Sequence, residues 1–154
     1  MQVGLDRDAQ SQLNDDRLAV IAEHGRCERV EDWDGALATM IDEPHYVFYP
    51  NRLRARGAAA IMEWWSRTHV FRDLDPRAVS RVIDRETFFS DNAIGLLKDV
   101  KELGPLFVTV FAAFHFDGLK IVSETVFFDR DVSRDVDQVL ESREFLAVPG
   151  VERF

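Results

Sequence analysis

The sequence predicts an α+β fold, with helices gathered in the first half and antiparallel strands in the second. Up to about residue 71 apolar residues recur at three- and four-residue steps, and from Ala78 onward the period moves toward two. The pair Asp117-Gly118 sits between two apolar runs, the composition of a tight hairpin turn. Adjacent hairpin strands that follow a run of helices are the α+β pattern, not the doubly wound one.

Taken in order, Leu13, Leu18, Ile21 and Ala22 fall at helical spacing behind polar Asn14, Asp15 and Asp16. A second helix is predicted from about Glu31 to Ile41, with Trp33, Leu37, Met40 and Ile41 on one face and Asp32 or Asp34 near its N-terminal end. Pro44 is expected to end it. His45–Tyr49 is aromatic and β-branched and reads as a strand. Pro50-Asn51 marks a turn, after which Arg52, Arg54 and Arg56 alternate onto one face of an extended segment. Gly57 introduces a third helix, Ala58 to about Phe71, stopped by residues 73–76. Strands are then predicted at Val79–Phe89, Ala93–Leu103, Leu106–Phe116 and Lys120–Asp129, with turns at Ser90-Asp91-Asn92, Gly104-Pro105 and Asp117-Gly118. A short helix near Val136–Ser142 and an apolar tail, Phe145–Val151, close the chain.

Composition narrows the function classes. A length of 154 residues without repeats or Gly/Ser linkers fits one domain, residues 1–154. The net charge of −9 disfavours a nucleic-acid partner, since that binding depends on neutralising phosphates. The charge is uneven: −7 over residues 1–50, +2 over 51–100 and −4 over 101–154. The single cysteine, Cys27, excludes an internal disulfide and a Cys-rich zinc site, and a buried inert thiol is expected. The longest uncharged stretch, Leu103–Phe116, has 14 residues, short of the ~20 a membrane helix needs. With Asp6, Arg7 and Asp8 ahead of any apolar run, no secretory signal is expected, and the location is read as cytoplasmic. No phosphate loop or dinucleotide motif occurs, and His24, His45, His69 and His115 lack metal-ligand spacing. No cofactor and no metal are therefore expected.

Several short motifs fall in a characteristic order: Asp32-Trp33-Asp34-Gly35-Ala36-Leu37, then Pro50, then Gly57-Ala58-Ala59-Ala60-Ile61 opening a helix, then Phe116-Asp117-Gly118-Leu119-Lys120-Ile121 ending in Phe127-Phe128-Asp129. In this order and spacing the chain, over residues 12–148, resembles the nuclear transport factor 2-like superfamily. That superfamily includes SnoaL-like polyketide cyclases, ketosteroid isomerases, scytalone dehydratase and limonene epoxide hydrolase. The resemblance implies a cone-shaped α+β barrel, a curved and largely antiparallel sheet wrapped around the N-terminal helices. One sheet face would line an apolar pocket and the other would often form a dimer interface. The residues agree. In Leu106–Phe116 the positions Val108, Val110, Ala112, Phe114 and Phe116 are apolar, and the alternate positions largely so, as in a strand covered on both faces. Phe48, Trp64, Trp65, Val108, Val110, Ala112, Phe114 and Val126 are the expected pocket lining, and a homodimer through the outer face is the expected assembly.

Four residues are candidates for chemistry. Glu124 is a single carboxylate among Val122, Val126 and Phe128, where desolvation would raise its pKa as a general acid or base requires; a Glu paired with an Arg, or one at the rim, is the plainer reading. Tyr46, four residues before Pro50, matches the position where epoxide hydrolases of this fold orient substrate with a Tyr, and plain core is its alternative. His24 lies eight residues before Asp32, where related isomerases and dehydratases carry an inward Tyr; an imidazole there could donate a proton or orient a carbonyl, and a surface or core histidine is the plainer reading. Asp99 matches the acid of the epoxide hydrolases, but the companion Arg and second acid are Leu97 and Val126 here. The isomerase general base is replaced by Phe48, its oxyanion-hole Asp by Ala112, and the dehydratase Asp by Arg29. The alternating arginines are either a solvated face or an anion site. The resemblance thus implies a cofactor-independent enzyme moving protons on an apolar cyclic or polyketide-like ligand, by isomerisation, cyclisation, dehydration or hydrolysis. A non-catalytic ligand-binding or dimeric interaction module of the same fold is the alternative.

Overall fold

A computed structural model describes the backbone of residues 7–68, 75–84, 88–100, 104–128 and 136–154, and side chains over residues 11–68, 112–128 and 136–154. Helix α1 (Arg7–Arg29) is followed by α2 (Trp33–Ala38), β1 (Met40–Tyr49), β2 (Leu53–Arg56) and α3 (Ala58–Arg67). Strands β3 (Asp75–Asp84), β4 (Phe88–Val100), β5 (Gly104–Asp117) and β6 (Lys120–Phe128) come next. A helical turn, α4 (136–140), then α5 (Arg143–Leu146) and β7 (Val151–Arg153), end the chain. The described strands form one sheet in the order β3-β4-β5-β6-β1-β2-β7. It is antiparallel except where β1 runs parallel to β6. This is the α+β class read from the sequence.

The buried face of α1 is not an ordinary apolar stripe. Arg17, Ile21, His24 and Glu28 are all buried, at four-, three- and four-residue steps, so one side of the helix carries three ionisable groups inward. Arg17 is held by donating to the Gly118 carbonyl at 2.9 Å and by lying 5.5 Å from the centre of the Phe116 ring. Helix α2 is capped by Asp32, which accepts from Gly35 N at 3.0 Å.

Several boundaries differ from the sequence reading. The second helix ends at Ala38, and Met40 and Ile41 begin β1. Pro44 does not stop a helix. It sits within β1 where the register against β6 shifts between Met40 and His45, an irregularity at which a missing N–H is tolerated, while its carbonyl accepts from Gly57 N at 2.7 Å. Of the expected third helix, Ala58–Arg67 is helical and residues 69–71 lie outside the described residues. Ser90-Asp91-Asn92 is not a turn: β4 runs through it, pairing Ser90, Asp91 and Asn92 with β3 and β5, because polar residues do not interrupt a ladder bonded on both sides. Gly104-Pro105 opens β5, pairing with Val100 and Asp99. The apolar tail forms α5 and β7, and β7 adds to β2 at the sheet edge. The Asp117–Lys120 hairpin is present, its two-residue loop carrying Gly118 at φ +58°, which a side chain rarely adopts.

One register detail positions the site. Between β5 and β6 the pairing shifts at His115/Phe116, which turns Ile121 into the core instead of the outer face its alternation with Glu124 assigns to it. Beyond the shift Glu124, Val126 and Phe128 face inward, beside Tyr46 and Phe48 of β1. Trp64 and Trp65 of α3 pack onto that layer, and Phe145 closes it from the C-terminal segment.

Candidate active site

The inner face carries a buried polar cluster at the meeting of α1, β1, β6 and α3. His24 and Glu28, one helical turn apart, come from α1. Tyr46 and Glu124 are opposed residues in the parallel β1–β6 pairing, and Trp65 comes from α3. None of the five is more than 6% exposed. Glu28 Oε1 accepts from Tyr46 Oη at 2.8 Å and from Trp65 Nε1 at 2.9 Å. His24 Nε2 lies 2.8 Å from Tyr46 Oη, 3.5 Å from Glu28 Oε1 and 3.4 Å from Glu124 Oε2.

Counting protons fixes the charge on His24. On its far side, Nδ1 is 2.7 Å from Thr39 Oγ1 and 3.2 Å from the Ala36 carbonyl. The Thr39 hydroxyl donates its only hydrogen to that carbonyl at 2.6 Å. Thr39 can then only accept, so Nδ1 carries a hydrogen. With Glu28 held ionised by its lowered pKa, Tyr46 donates its hydrogen to Glu28, so the short contact with Nε2 needs a hydrogen on Nε2 as well. His24 is therefore an imidazolium. Burial opposes that charge, but Glu28 and Glu124 outweigh it and hold the pKa at about 10.

The two carboxyls are driven apart. Burial raises both, yet Glu28 ends below the usual carboxylate range because of the His24 charge and the donors His24, Tyr46 and Trp65. Glu124 ends above it, through burial and repulsion by Glu28, against the weaker pull of His24 and Tyr46. Burial and the two carboxylates likewise push Tyr46 well above the ordinary phenol value. One atom is left over. Glu124 Oε2 is buried and meets no hydrogen-bond donor among the described residues, since the Nε2 hydrogen is directed to Tyr46.

Three of the four candidates, His24, Tyr46 and Glu124, meet here. Asp99 lies in β4, opposite Pro105, and its side chain is outside the described residues, as are those of Val108 and Val110. Phe48, Trp64, Trp65, Ala112, Phe114 and Val126 are buried in the same core. Glu28 is the residue sequence reasoning missed, though its spacing from His24 was the available signal. Of the other histidines, His45 is half-buried and His115 exposed, on the outer face either side of Ser123. Arg54 and Arg56 pair with Glu152 of β7, at 3.1 and 3.4 Å. Cys27 is buried, and its thiol pKa is pushed up by burial and Glu23. An open pocket of about 570 Å³ near Met40, Asp42 and Lys120 holds none of the cluster residues.

His24, Glu28 and Glu124 also offer donor atoms within 4.8 Å of one another, a set able to take a metal ion that the histidine spacing did not reveal.

The fold is the nuclear transport factor 2-like fold, and the ionisable groups lie on its inner sheet face. Solved structures carry the same fold. A polyketide cyclase candidate from Xanthomonas campestris pv. campestris superposes with a TM-score of 0.61 at 16% identity, over 82% of this chain and 98% of its own. A nuclear transport factor 2-like protein from Burkholderia xenovorans reaches 0.61 at 14% identity, over 79% and 95%. TerC, co-crystallised with polyporic acid, reaches 0.58 at 17% identity, over 82% and 99%. No protein-family model and no curated protein matches the chain. Among the described residues no helix is long and apolar enough to cross a membrane.

Proposed function

We propose that the protein is a cofactor-independent enzyme that moves a proton on an apolar cyclic or polyketide-like ligand, with Glu124 as the acid/base. The carrying observation is Glu124 Oε2: buried, without a donor among the described residues, and on a carboxyl whose pKa is raised by burial and by Glu28. His24 serves as a fixed cation that stabilises the carboxylate left when Glu124 gives up its proton. Glu28, Tyr46 and Trp65 hold that cation in place. Tyr46 orients His24 in this scheme, because its own hydrogen is committed to Glu28. TerC, which shares this fold, is co-crystallised with polyporic acid, which supports a small-molecule ligand for the fold's inner face. A homodimer through the outer sheet face fits the stacked Tyr49 and Phe127 rings there, 5.0 Å apart.

The test is solvent-deuterium exchange at the carbon next to the carbonyl in a panel of cyclic ketones. Wild-type protein is expected to catalyse exchange, and Glu124→Gln to lose it by about 10²–10⁴-fold. Equal exchange with both proteins contradicts the assignment. A second reading, a ligand-binding module whose buried cluster only joins α1 to the sheet, is favoured by the near-complete pairing of the cluster. It gains if ligands bind without exchange.

A further inference from the structure

Among the described residues Trp64, like Glu124, holds a buried polar atom with no hydrogen-bond partner. Its indole Nε1 is buried and meets no acceptor among the described residues, although the residue is fully inside the core. Buried N–H groups are nearly always bonded, and a Trp indole can only donate. Among the described residues its ring contacts are Phe48 at 4.7 Å, Phe128 at 6.0 Å and Phe145 at 6.3 Å between centroids. Trp65, next to it on α3, differs in having Glu28 as its acceptor.

The placement relative to Glu124 gives this donor a use. Glu124, Val126 and Phe128 follow one another inward-facing along β6, and Phe48 is opposite Val126. Trp64 packs on Phe48 and Phe128 and so sits roughly 7–13 Å further along the strands than Glu124, at ~3.3 Å per residue. The geometry points to Trp64 Nε1 as a specificity-determining donor that anchors an acceptor oxygen of the ligand at the end remote from Glu124. The selected ligand is then an elongated, polycyclic molecule with oxygen functions at both ends and an apolar middle that fits the aromatic wall. This inference rests on the proposed function for the presence of a ligand in the inner layer, but not on Glu124 doing chemistry.

The probes are a steroid dione with a carbonyl at each end of the ring system and the same steroid lacking one of them. The readout is the ¹⁵N–¹H signal of the Trp64 indole, identified by its absence in Trp64→Phe. With wild-type protein the dione is expected to move this signal as a new hydrogen bond does, and the mono-ketone to move it little. Trp64→Phe keeps an aromatic side chain, smaller than indole, and loses the donor, so it should weaken dione binding about 2- to 10-fold more than mono-ketone binding. The proposal is overturned if neither probe moves the signal, or if both move it equally. Repeating the titration with Glu124→Gln separates the two ideas. A retained Trp64 response alongside lost exchange supports both. A retained response with exchange equal to wild type leaves the anchor standing and removes Glu124 as the acid/base.

Discussion

Replacing Glu28 by Gln tests the electrostatic design of the cluster. The amide oxygen of Gln can still accept from Tyr46 and Trp65, so the change removes charge more than contacts. His24 is lifted from 6.5 to about 10 by its two carboxyl neighbours despite burial. At roughly 1.4 kcal/mol per unit this is about 5 kcal/mol of preference for the charged form. Breaking one partner of a buried ion pair generally costs about 3–5 kcal/mol, which agrees. Against a domain stability of about 5–15 kcal/mol, the variant should unfold at a urea midpoint lower by about 1 M or more at pH 7. The sign with pH is definite. A raised histidine contributes fully below its unfolded value of 6.5 and loses that contribution as pH climbs toward 10. Wild type should therefore weaken across that window, and Glu28→Gln should show a much flatter profile. His24→Gln with Glu28→Gln should cost less than the sum of the single changes by about 2 kcal/mol or more, because no unpaired charge remains. A Glu28→Gln cost under about 1 kcal/mol, or strict additivity, would refute the imidazolium assignment.

Other outcomes follow from the same structure. Glu124→Gln should raise stability at pH 8 relative to wild type, since a carboxyl with a raised pKa loses folded-state stability as pH rises above 4.5; thermal unfolding at pH 5 and 8 checks this. Asp32→Ala should cost about 1 kcal/mol by removing the cap of α2, read by urea unfolding. Gly150→Ala should destabilise the β2–β7 edge, because its φ is +91° and a Cβ would lie 2.3 Å from the Arg56 carbonyl oxygen; amide exchange at Arg56, whose N–H bonds the Gly150 carbonyl, would report it.

Much of the fold was legible because it is local. Residue periodicity marks α1, α3 and β6, and Asp117-Gly118 marks its hairpin. What was hidden depends on pairing. The parallel contact of β1 with β6 sets Tyr46 opposite Glu124, and nothing in either strand announces a partner so distant in the chain. The turn placed at Ser90-Asp91-Asn92 failed for the same reason, since a ladder on both sides overrides local turn preference. His24, Tyr46 and Glu124 each stood out alone as a polar group at an inward position of the resembled fold. Glu28 did not, because a Glu on an acidic helix reads as solvated. The signal was its place on the stripe Arg17, Ile21, His24 and Glu28, whose burial reverses the usual division into apolar and polar faces.

Of the two buried carboxyls, Glu124 is the one proposed to carry a proton. Carboxyl ¹³C titration of Glu-labelled protein, with Glu124→Gln to identify the signal, measures this directly. The Glu124 carboxyl is expected to remain protonated above the ordinary glutamate range while Glu28 stays ionised below it. A Glu124 signal titrating at or below 4.5 would contradict it.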